Sequence, residues 1–139
     1  MPSFDRDPSH WLFKFSPDEW IRAALAEIHR AEDAYRAHNA KGGLAGAKRA
    51  AGMALNAALI VEPNDKWGRA YVDHVMALGR DDSVPAAVKN ACKVLLETHA
   101  GGVFVILRSP RSDELVLEAA RDLVAHAYAV VRRNEPLQT

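Results

Sequence analysis

A single cysteine among 139 residues, Cys92, excludes an internal disulfide and fits a reducing compartment. Neither sign of charge is in excess, since 18 Lys and Arg balance 18 Asp and Glu. A protein whose main task is gripping duplex DNA carries a basic surplus, because affinity comes from neutralising phosphates. Any nucleic-acid surface on this chain is therefore a local patch on a neutral body. Glycine and proline are few, 8 and 7, which excludes collagen-like and low-complexity chains. No stretch approaches the ~18 consecutive apolar residues of a membrane span. The chain starts with Asp5, Arg6 and Asp7 where a signal peptide would carry an apolar run. The expectation is a cytoplasmic protein with no membrane contact.

Chemical motifs are also scarce. The sequence has no Gly-x-Gly-x-x-Gly or Walker loop, and Gly42-Gly43 and Gly101-Gly102 read as helix stops or turns. It has no cysteine pair and no His-x3-His or Glu-x-x-His spacing. His29, Glu32 and Asp33 share a helical surface, and Asp73-His74 forms a second group, but neither has the spacing of a dedicated metal site. No metal and no cofactor is expected. Cys92, between Ala91 and Lys93, reads as a buried structural thiol.

What the chain does have is alanine, 25 of them spread over residues 23 to 129. Alanine is the best helix former and a poor strand former, so the expected fold is all-α. An N-terminal arm, residues 1–15, carries Phe4, Trp11, Phe13 and Phe15 and is expected to dock on the bundle or on a partner chain. The bundle follows over 16–134, with a short tail at 135–139. Ser16-Pro17-Asp18-Glu19 is a capping box with proline at the first helical position. Trp20, Ala24, Ile28, Ala31 and Tyr35 then recur at helical spacing, and Gly42-Gly43 ends the segment.

A second helix is expected over 44–61, with Leu44, Ala47, Ala51, Leu55, Ala58 and Leu59 on one face and Pro63 as its stop. A third covers about 67–78 and is closed by Gly79. A turn at Asp81-Asp82-Ser83 precedes a fourth, opened by Pro85 and running to about Thr98. Val103 to Leu107 is the only run with strand composition, and one such run makes an extended connector rather than a sheet. The last helix, about 113–134 and capped by Ser112 or Ser109, buries Val116, Leu117, Ala120, Leu123, Val124, Ala127, Val130 and Val131. Long helices joined by short turns predict an antiparallel bundle of about five helices.

The last helix contains Arg121-x4-His126-x-Tyr128. Arg-x4-6-His late in the final helix of an alanine-rich bundle resembles the signature of HEPN domains. The form with tyrosine two residues after the histidine is similar to HEPN toxins that pair with small nucleotidyltransferases. Ala47 to Ala51 and Met53 to Leu59 resemble the small-residue core helix of that family, and the likeness in helix order spans residues 16–134. Asp122 stands where the family often has an amide.

The resemblance implies a HEPN-like bundle that forms a homodimer, associates with RNA or nucleotides, and acts as a metal-independent endoribonuclease of toxin or defence type. Arg121, His126 and Tyr128 would be its catalytic residues. The same resemblance implies a nucleotidyltransferase partner that silences the toxin at the tyrosine. The alternative it implies is a catalytically silent bundle that binds such a partner or another protein.

The residues suit that chemistry. A histidine with an ordinary pKa of about 6.5 can take a proton from a ribose 2′-hydroxyl or give one to the leaving oxygen. Arg121 can hold a phosphate bidentately. At about 100° per residue the two point roughly 140° apart, so a shared site calls for a second copy, with Ala125 and Ala129 permitting close approach. Arg108, Arg111, Arg132 and Arg133 form a basic cluster that can track an RNA backbone. The plainer reading is that Arg132 and Arg133 complement the helix dipole, while Asp122–His126 and Glu118–Arg121 are surface pairs at helical spacing.

Overall fold

The computed structural model describes residues 11–63, 71–98 and 110–135. Among the described residues a short 3-10 turn, Trp11–Lys14, precedes five α-helices: α1 (Pro17–Arg36), α2 (Ala40–Val61), α3 (Tyr71–Gly79), α4 (Ala86–Glu97) and α5 (Pro110–Arg133). No strand occurs among the described residues, and the fold is an all-α bundle. The expected connector at Val103 to Leu107 lies outside the described residues.

Helix α1 starts as its sequence dictates. The Ser16 hydroxyl accepts a hydrogen bond from the Glu19 N–H at 3.2 Å, and the Glu19 carboxylate accepts from the Ser16 N–H at 2.8 Å. Two amide donors that helix geometry leaves unpaired are thereby satisfied. Trp20, Ile21, Ala24, Ile28 and Ala31 are buried along one face. The end of the arm closes over that face. Leu12 is fully buried, its carbonyl accepts from the Trp20 indole N–H at 2.9 Å, and Phe15 meets the Trp20 ring edge-on at 4.9 Å. Leu12 and Phe15 thus pack on this chain's own bundle, whereas Phe4 and the side chains of Trp11 and Phe13 lie outside what is described.

The α1–α2 turn differs from expectation. The chain leaves α1 at His38, whose φ of 60° is left-handed, and Asn39 caps α2 by accepting from the Gly42 N–H at 2.9 Å. Gly42 and Gly43 therefore sit in the first turn of α2, and the helix starts four residues earlier than expected. The glycines serve approach rather than termination. A Cβ on Gly43 would lie 2.6 Å from the Tyr35 ring, and one on Gly46 would lie 3.1 Å from the Ala31 Cβ.

Helix α2 is the centre of the bundle. It packs against α1, α3 and α5, so burial extends well beyond the single face that periodicity suggested. Ala50, Ala54 and Ala57 are fully buried alongside Ala47, Ala51 and Leu55. By length and composition α2 could cross a membrane, but most of its apolar window is buried inside the bundle.

Helix α3 is described from Tyr71, and Gly79 is its last residue rather than a residue beyond it. Helix α5 begins at Pro110, a residue pre-set for a first helical position, so Ser112 lies inside the helix and is not its cap. Ser109 lies outside the described residues. All eight apolar residues expected on the inner stripe of α5 are buried, as is Ala119.

Two substitutions test this packing. Leu55→Ala removes a fully buried side chain from the central helix and should cost about 2–5 kcal/mol in urea unfolding. Gly43→Ala should cost about 1–3 kcal/mol by overpacking. That loss should largely vanish in a Tyr35→Ala background, because the clash is with the Tyr35 ring.

Candidate functional site

Burying the inner stripe of α5 fixes where its polar residues go. Ala125 and Ala129 face solvent, and Arg121 and His126 leave the helix on opposite flanks. The Arg121 flank meets α1, where the guanidinium binds the Glu32 carboxylate. Glu32 also contacts the His29 imidazole at 3.3 Å. The expected Glu118–Arg121 pair is thus replaced by a pair between helices.

The other flank opens on a cleft of about 320 Å³ between the end of α2, the α3–α4 turn and the last turns of α5. Ala58, Glu62, Asp81, Ser83, His126 and Arg133 line it. His126 faces this cleft and makes no ion pair with Asp122. Burial, with the nearby Arg133 charge, holds the imidazole below its ordinary value of 6.5, against partial opposition from Glu62 and Asp81. The ring is therefore neutral at neutral pH and free to accept a proton, where the sequence alone suggested an unperturbed histidine.

The carboxylates around His126 are held in place. Glu62, just past α2, accepts two hydrogen bonds from the Arg133 guanidinium, both at 2.7 Å, and a further one from the Asn134 amide. Arg133 first, then Asn134, keep the Glu62 carboxyl below its usual range. Asp81 closes the turn before α4 by accepting from the Ser83 N–H at 2.9 Å and the Ser83 hydroxyl at 2.6 Å, and these bonds lower its pKa.

The remaining sequence candidates do not gather around His126. Tyr128 is 42% exposed, and its hydroxyl accepts from Arg132 Nε at 2.8 Å while the guanidinium lies 4.9 Å from the ring centre. Arg132 also pairs with Glu135. Arg108 lies outside the described residues, and Arg111 is described only through the backbone of α5. The four-arginine cluster is thus represented by two side chains, and both are engaged by partners.

The metal candidates are dispersed in the same way. Asp33 pairs with Arg36 at 2.7 Å and Glu32 with Arg121, and no group of three His, Cys, Asp or Glu able to hold a metal occurs among the described residues.

Glu62, Asp81 and Ser83 are the site residues that sequence reasoning missed. Asp81 and Ser83 were legible only as a turn, and Glu62 only as the residue before Pro63. Their meeting with His126 depends on contacts across more than 40 positions, which no local period encodes. No protein-family model, no curated protein and no solved structure matches this chain.

The electrostatics predict a sign. Both His126 and Glu62 titrate below their ordinary values in the folded state, so the unfolded chain binds more protons and stability falls with acidification. The His126 part is fully present above its ordinary value of 6.5 and is lost as pH falls through the lowered one. In Glu62→Gln the imidazole loses an anion that favours its charged form. NMR titration should place the His126 midpoint below 6.5 in the wild type and lower still in that variant.

Proposed function

We propose that this chain is a HEPN-type bundle that acts on RNA as a metal-independent endoribonuclease, with His126 as its proton-transfer group. The observation that carries this reading is the placement of the His126 imidazole in the cleft between α2, α3–α4 and α5, lined also by Glu62, Asp81 and Arg133. The Arg121-x4-His126-x-Tyr128 pattern and the all-α architecture around it support the family assignment.

In the proposed reaction His126 accepts the proton of a ribose 2′-hydroxyl. The 2′-oxygen attacks the adjacent phosphorus, and the P–O5′ bond breaks. The leaving 5′-oxygen takes a proton from water, and the His126 imidazolium returns its proton to the hydroxide left behind, giving a 2′,3′-cyclic phosphate and a 5′-hydroxyl end. DNA lacks the attacking hydroxyl and should not be cut.

The added negative charge calls for a cation. Within one chain Arg121 is turned to the opposite flank, towards Glu32. A second copy supplies it if the exposed faces of two α5 helices, with Ala125 and Ala129 at their centre, pack together. Opposite flanks of two symmetry-related helices meet when the helices run in the same direction, and Arg121 of one protomer then approaches His126 of its partner. Glu32 would have to release Arg121, and Tyr128 would border the phosphate.

A second reading, a catalytically silent bundle that binds a nucleotidyltransferase or another protein, is favoured by a different observation. Each guanidinium described on α5 is already engaged: Arg121 by Glu32, Arg132 by Glu135 and Tyr128, and Arg133 by Glu62.

Cleavage of single-stranded RNA in excess EDTA separates the two. The nuclease reading expects cleavage that falls by about 100-fold or more in His126→Ala and in Arg121→Ala, with helicity unchanged. Mixing the two inactive variants should restore part of the activity, because a mixed dimer holds one intact pair. Wild-type protein that leaves a broad RNA panel intact rules out the nuclease. Stable co-purification with a partner, unaffected by His126→Ala, then identifies the binding module.

A further inference from the structure

A second cavity, about 390 Å³, lies away from His126, between α3 and α4. Its floor is apolar: Cys92 is fully buried, Leu96 is half-buried and Met76 is 37% exposed. The end of α3 sits close to α4 because residue 79 is glycine, and a Cβ there would lie 3.3 Å from the Cys92 Cβ. Burial pushes the Cys92 thiol up to about 11, so the floor carries no thiolate to repel an anion.

The rim has the opposite character. Arg80, Lys89 and Lys93 border the cavity with the Asn90 amide, against one carboxylate, Glu97. Lys89 is neutralised by Asp82 at 2.6 Å. Arg80 and Lys93 are exposed and have no acidic partner among the described residues. Elsewhere Arg36 pairs with Asp33, Arg49 with Glu27, Arg121 with Glu32 and Arg133 with Glu62, while Arg22, Lys41 and Lys48 form no ion pair among the described residues. What sets Arg80 and Lys93 apart is their convergence on the rim of one cavity with an apolar floor.

We infer that the α3–α4 cavity is a binding site for a small organic anion with an apolar body, its carboxylate or phosphate held by Arg80 and Lys93 and its body laid on Met76, Cys92 and Leu96. The volume falls within the range of small-molecule pockets, and the few polar groups at one edge would fix the ligand's orientation. Neither requirement alone selects such a ligand. An inorganic anion gains nothing from the floor, and an uncharged hydrophobe gains nothing from the rim. This site is independent of RNA cleavage.

Anilinonaphthalene sulfonate, one anionic group on an aromatic body, is the probe. Wild-type protein should bind it saturably, with one molecule per chain. Charge reversal in Arg80→Glu/Lys93→Glu should weaken binding about tenfold or more. Met76→Glu should weaken it by placing charge on the floor, and Arg22→Glu, on the exposed face of α1, should leave it unchanged. All four positions tolerate solvent, and circular dichroism verifies that each variant stays folded. Uncharged phenylnaphthylamine should bind more weakly and ignore the charge reversal. Absence of saturable binding overturns the inference, as does equal affinity in Arg80→Glu/Lys93→Glu or an equal loss in Arg22→Glu.

Discussion

Close approach to α2 is the constraint on which the rest of this fold depends. That helix is built largely of alanine and glycine, so its neighbours pack against backbone and methyl groups rather than long side chains. Ala31 of α1 reaches Gly46, and the Tyr35 ring lies over Gly43. Short interaxial distances bury area on several sides of one helix, and burial of apolar surface contributes roughly 25 cal/mol per Å². Because interiors are densely packed, each small residue also excludes a larger one. The alanine content therefore does more than favour helix. It sets how near the other helices lie.

Once α2 is central, the orientation of α5 follows. Its inner stripe, from Val116 to Val131, must face α2, and the angle of every other residue on α5 is then fixed. Arg121 falls beside α1 and finds Glu32, while His126 falls beside the α3–α4 turn and the end of α2. The same packing that buries the stripe desolvates the His126 ring and brings Glu62, held by Arg133 and Asn134, to it. Core packing and site electrostatics thus have one cause. Because Arg121 and His126 leave α5 on opposite flanks, one chain alone does not bring the two side chains together.

The α3–α4 hairpin contributes to two cavities of different character. One lies towards α5 and contains a histidine, carboxylates and a paired guanidinium. The other contains unpaired cations above an apolar floor. Asp81 and Asp82, adjacent in sequence, take part in opposite ways: Asp81 closes the turn at the His126 cleft, and Asp82 neutralises Lys89 at the rim of the second cavity.

Helix identity, the α1 capping box and the inner stripe of α5 were legible from residue order, because each depends on neighbours within about four positions along one helix. Helix limits were less so. Glycine at 42 and 43 suggests a stop, but Asn39 supplies a cap and Tyr35 needs the space, and both facts depend on how α1 meets α2. The site divides along the same line. His126 and Arg121 could be picked out as a spaced pair, and their divergence could be computed from helical geometry. That Glu32 would take Arg121, and that Glu62, Asp81 and Ser83 would surround His126, was decided only when distant segments packed together. Side-chain direction is a local property of a helix, whereas desolvation and charge pairing belong to whatever the tertiary fold places beside it.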